Sequence, residues 1–88
     1  MNEEMKKLLK ITINDFYHLL EKFRFFDLKL KQDLLESYFA VKFKKLRAKG
    51  YCERHIYKFF LKVIRPFDIE LDREYFMRCI NLSKKFSF

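Results

Sequence analysis

Glycine and proline are almost missing from this sequence: each occurs once, at Gly50 and Pro66. Phosphate-cradling loops, dinucleotide fingerprints and collagen-like repeats all need several glycines and are therefore excluded. An all-β fold needs many tight turns and is disfavoured for the same reason. Cysteine is scarce as well. Cys52 and Cys79 stand alone, with no Cys-x-x-Cys spacing. A secreted domain of this size generally carries a regular framework of bridges, so both read as reduced thiols in a cytoplasmic setting. No apolar run approaches the ~20 residues that cross a bilayer. The acidic start Met1-Asn2-Glu3-Glu4 lacks the apolar core of a signal peptide. The chain thus reads as a soluble one. No nucleophile, base and orienting group stand at a recognisable spacing, so the expectation is a non-catalytic protein without a cofactor.

Aromatic residues are what the chain has in surplus: 12 Phe and 5 Tyr in 88 residues. Each buried ring removes roughly 150–250 Å² from water, enough to build a core without disulfides or metal. The supply exceeds what one small chain readily hides. A homodimer face or a partner groove is a natural use for the excess.

Charge is concentrated. The net charge is +8. Residues 42–65 hold nine basic side chains (Lys42, Lys44, Lys45, Arg47, Lys49, Arg54, Lys58, Lys62 and Arg65) against one acidic, Glu53. The remainder is balanced at eleven of each sign, so the whole excess lies in 24 consecutive residues. Charge that serves solubility is normally mixed and spread out. One sign gathered in one segment fits an anionic partner.

The expected architecture is all-α: a small single domain, residues 1–88, of four to five helices, with a helix-Gly-helix hairpin around Gly50. Residues 2–10 read as a short first helix, capped by Asn2 and broken at the β-branched Ile11-Thr12-Ile13. A second helix carries Phe16, Leu19, Leu20, Phe23 and Phe26 on one face. Asp27 caps a third that runs to about Lys49 and stops at Gly50. A fourth spans about Glu53 to Arg65 and is stopped by Pro66. Asp72 caps the last, and residues 83–88 form a basic-aromatic tail. The core is expected from Phe16, Leu19, Leu20, Phe23, Leu35, Phe39, Phe59, Val63, Phe76 and Ile80.

In the fourth helix Arg54, Lys58, Lys62 and Arg65 fall within an arc of about 80° at 100° per residue, opposite Ile56, Phe59, Phe60 and Val63. In the third, Lys42, Lys45 and Lys49 replace apolar residues on the inward face. Either the helix leaves the core there, or the lysine stems lie along apolar surface with their ammonium groups in water. These seven cations are the candidate phosphate contacts. Helices joined by Lys49-Gly50-Tyr51-Cys52 also suit a helix-turn-helix, whose second helix would offer Glu53, Arg54, Tyr57 and Lys58 to bases.

The stretch Lys45-Leu46-Arg47-Ala48-Lys49-Gly50-Tyr51-Cys52-Glu53-Arg54-His55 resembles a segment of the helical DNA-clamping domain of tyrosine recombinases. In that family a leucine, basic residues and Lys-Gly-Tyr precede a capping serine and a helix. Here Cys52 takes the place of the cap. Pro66-Phe67 through Asp72-Arg73-Glu74 would correspond to the acidic-capped helix that follows; the likeness covers roughly a third of the chain in an unspecific pattern and assigns no membership. It implies contact with DNA and, without a catalytic domain, no recombination.

Other constellations are weaker. Cys52 and His55 have Cys-x-x-His spacing, which Cys79 and His18 would have to complete; with no second close pair, no metal site is expected. Asp68, Glu70, Asp72 and Glu74 read as a loop and helix cap. The fourth helix could lie on anionic lipid only if its apolar side were free of the core. Two functional expectations follow. One is a small basic nucleic-acid-binding or regulatory protein that neutralises phosphates of DNA or RNA. The other is a protein-interaction module, such as a phage-type inhibitor or an adaptor on a nucleoprotein enzyme. It would be marked by Phe25, Tyr51, Phe86 and Phe88 forming an exposed patch.

Overall fold

In a computed structural model, which describes residues 2–67, 69 and 71–86, the chain folds into four α-helices. They are α1 (Glu3–Lys22), α2 (Leu28–Ala48), α3 (Glu53–Ile64) and α4 (Arg73–Ser83), with a 3₁₀ turn over Arg65–Phe67. No strand occurs among the described residues.

Three of the helices start on a side-chain cap. Asn2 accepts from the backbone N–H of Met5 at 2.8 Å, Asp27 from Leu30 at 2.9 Å and Asp72 from Tyr75 at 2.7 Å. Each bond satisfies one of the four N–H groups that a helix start leaves without an intrahelical partner. α2 ends in a Schellman turn. Gly50 has φ +99°, its N–H donates to Arg47 O at 2.9 Å, and the Tyr51 N–H donates to Leu46 O at 3.2 Å. Glycine adopts that left-handed backbone without a Cβ penalty.

The break expected at Ile11-Thr12-Ile13 does not occur, and the first helix does not end at residue 10. α1 is continuous through all three. Met5, Thr12 and Phe16 lie on one face and are buried, so packing overrides the weak helix propensity of β-branched residues. The Thr12 hydroxyl finds no hydrogen-bond partner among the described residues.

α2 packs most extensively on α4, and α1 packs on α3. α2 and α3, the two helices flanking Gly50, meet less extensively. Aromatic rings connect all four. Phe16 lies 5.5 Å from Phe39, Phe39 is 4.6 Å from Phe60, and Phe60 is 5.8 Å from Phe76, which also meets Phe43 and Tyr57. Tilted and edge-on pairs at such separations add to the burial of the rings.

Of the expected core, Phe16, Phe39, Phe59, Val63, Phe76 and Ile80 are buried. Leu19, Leu20, Phe23 and Leu35 are only half-buried. They line a shallow cleft where the last turns of α1 meet only the first turns of α2. The centre lies lower, among Met5, Phe43, Leu46, Ile56, Phe60 and Ile64.

Candidate phosphate-contacting surface

The seven candidate cations divide into two groups. Lys42, Lys45 and Lys49 share one face of α2, beside α1. Lys42 is half-buried, with its ammonium nitrogen 5.9 Å from the centre of the Tyr38 ring. Burial lowers its pKa, Lys45 and Lys49 add to that, and Asp15 opposes it. Lys49 meets Glu4 at 3.8 Å, an exposed pair. Lys45 is exposed and makes no ion pair among the described residues. The helix therefore stays in the core at Phe43 and Leu46 while its lysines reach outward over apolar surface.

Two other basic residues of the segment serve the fold. Lys44 Nζ donates to the Phe86 carbonyl, holding the start of the tail. Arg47 Nη1 donates to the Tyr51 carbonyl at 3.0 Å, bracing the Gly50 turn.

The second group is the row along α3 and its C-cap Arg65. Arg54, Lys58, Lys62 and Arg65 are all exposed, and none makes an ion pair with a described residue. On the other side of the helix Ile56, Phe59, Phe60, Val63 and Ile64 are buried. That burial withdraws the lipid-surface reading, because the apolar side of α3 is spent on the core.

Beside this row lies an open groove of about 320 Å³ where α1 begins alongside α3. Met5 and Phe59 form its apolar base. Tyr51 and His55 line it, Lys58 and Lys62 supply its cations, and Asn2 completes the lining. No pattern in the sequence signals this groove, since residues 2–5 and 51–62 meet only through the tertiary fold.

At the start of α3, Cys52 is the residue before the first turn and makes no capping bond. Its Sγ instead approaches His55 Nδ1 at 3.4 Å. Cys52 is exposed and Cys79 is buried, and the two are unpaired. Burial, with Glu36 adding to it, raises the Cys79 thiol to about 12. The four zinc candidates are not brought together: no group of three or more His, Cys, Asp or Glu is placed to hold a metal among the described residues. Asp68 and Glu70 lie outside the described residues, Asp72 caps α4, and Glu74 faces Arg78 at 3.7 Å.

Of the aromatic residues expected in a protein-binding patch, the described ones, Phe25, Tyr51 and Phe86, do not form one together. Phe25 is 86% exposed, in the turn after α1. Tyr51 packs partly against the core and Phe86 is half-buried; Phe88 lies outside the described residues. The exposed apolar side chains near Phe25 are Phe26 and Leu30. No described helix is long and apolar enough to cross a membrane. No family model matches the chain, and no curated protein or solved structure is significantly similar to it.

Proposed function

We propose that this chain is a small, non-catalytic nucleic-acid-binding or regulatory protein that grips phosphates of DNA or RNA. The observation that carries this reading is the α3 row: Arg54, Lys58, Lys62 and Arg65, exposed on one face and unpaired among the described residues. Cations without carboxylate partners retain their full attraction for an outside anion. Lys45 extends the positive surface, while Lys42 and Lys49 contribute less, being half-buried and ion-paired respectively. The two unpaired thiols suit a reducing, cytoplasmic setting.

The mechanism is phosphate neutralisation with counterion release, so affinity falls steeply with salt. Fluorescence anisotropy of labelled DNA and RNA across a salt series tests it. A linear log–log dependence with a slope of several phosphates is the expected result. No binding at low salt overturns the reading.

A second reading rests on Phe25. At 86% exposure, with Phe26 and Leu30 also exposed nearby, it supports a protein-contacting face such as an inhibitor, an adaptor or a homodimer would use. Partner recovery from native lysate that survives nuclease, and is lost in Phe25→Ser, would favour it.

A further inference from the structure

The α3 row explains attraction to phosphate, but not why an aromatic-lined groove lies beside it. Tyr51 and His55 offer two flat rings, and Met5 and Phe59 an apolar base. Lys58 and Lys62 belong both to the groove and to the row. A volume of about 320 Å³ is at the small end of ligand pockets, which run from roughly 300 Å³.

Resting on the phosphate-binding reading, we infer that the groove receives one unpaired nucleotide of a single-stranded nucleic acid, its base against Tyr51 and His55 and its phosphates along Lys58 and Lys62. The lining carries the choice of a base. Every nucleobase has a π-face that stacks on aromatic side chains, and the same base has phosphate within reach of nearby cations. The row carries the choice of a strand over a free nucleotide. Arg54 and Arg65 lie eleven residues apart on the same face, about 16 Å along the helix, and extend the row of cations past Lys58 and Lys62 at its two ends. A single nucleotide would leave those ends idle. Pairing carries the choice of a single strand over a duplex, because paired bases are stacked inside and cannot enter a side groove without being flipped out.

Three labelled probes of equal length separate the contributions: a single strand, offered as DNA and as RNA; a DNA strand of abasic sites; and a DNA duplex. The full chain is titrated with each by anisotropy across a salt series. The expected result is that the better single strand binds at least about five-fold more tightly than the abasic strand, the lower end of what one stacked base contributes. Tyr51→Ala should remove that difference and leave the salt slope unchanged, since the phosphate contacts persist. The abasic comparison needs no variant, so it decides even if Tyr51→Ala does not fold.

Equal binding of the intact and abasic strands overturns the groove assignment and leaves phosphate binding standing. So does a duplex that binds as tightly as the single strand. A free mononucleotide that displaces the strand as well as unlabelled strand does would overturn the choice of a polymer. No binding of any probe at low salt removes the phosphate reading and this inference together.

Discussion

The two ends of α1 face opposite surroundings. At its start, Asn2 caps the helix, Met5 is buried, and the first turn closes a groove against α3. At its end, about 30 Å away by helical rise, Phe23 is half-buried and Phe25 stands 86% exposed. One end has an apolar base flanked by two lysines, Lys58 and Lys62. The other has apolar surface with little support beneath it. The difference shows that aromatic content by itself locates neither core nor site. What matters is which neighbours the fold places beside each ring.

The largest expected effect comes from removing a ring at the buried centre, between the two ends. Phe60 is fully buried and touches Phe39, Phe59 and Phe76. Phe60→Ala should cost about 3–5 kcal/mol in urea unfolding, a large share of a small domain's ~5–15 kcal/mol. Phe25→Ser at the exposed end should change stability by no more than about 0.5 kcal/mol. If the two variants were equally destabilising, the contrast between centre and exposed end would fail.

Next is charge reversal at the groove end. Arg54→Glu, Lys58→Glu and Lys62→Glu together should weaken nucleic-acid binding on the order of 100-fold or more, because three contacts become repulsive. The circular dichroism spectrum should stay helical, since all three side chains are exposed. Retained binding in the folded triple variant would remove α3 as the contact surface.

A smaller effect should appear with pH. Cys79 has no exposed surface, and burial, followed by Glu36, raises its pKa from 9.0 to about 12. The folded state therefore keeps the thiol proton over a range in which the unfolded state loses it. The stability this contributes is present in full below pH 9 and declines between pH 9 and 12. The advantage of the wild type over Cys79→Ala should narrow above pH 9, by at most about 1.4 kcal/mol per pH unit. Urea titrations at pH 8 and pH 10 measure it, and an advantage that does not shrink would count against proton retention by the buried thiol.

A further small change is expected at the start of α3. Cys52→Ser places an oxygen where the other three helices have a capping side chain. It should raise stability by about 1 kcal/mol in thermal melts. A fall in melting temperature would mean that the Cys52–His55 contact outweighs a cap.

Caps, stops and faces were legible in the sequence because they are local. Asn2, Asp27, Asp72 and Gly50 act on backbone groups within a few residues, and they do so in the structure. The buried side of α3 was legible for the same reason, as helical spacing alone separates Phe59 and Val63 from Lys58 and Lys62. Thr12 was misread because propensity is a weak preference and burial beside Phe16 overrides it. The seven cations read as one set because they are adjacent in sequence. Their unequal standing depends on the half-burial of Lys42 and on Glu4, which pairs with Lys49 from another helix.

What the sequence by itself determined is the helical class, the helix ends and the presence of a concentrated cationic segment. Each follows from short-range rules: periodicity, capping chemistry and the count of charges. What only the tertiary structure decided is which cations stand unpaired and which rings stay uncovered. It also decided that the start of α1 closes a groove beside Tyr51 and Lys58. Those outcomes depend on side chains more than forty residues apart being brought into contact, and a linear pattern of residue types does not encode that proximity in any local rule.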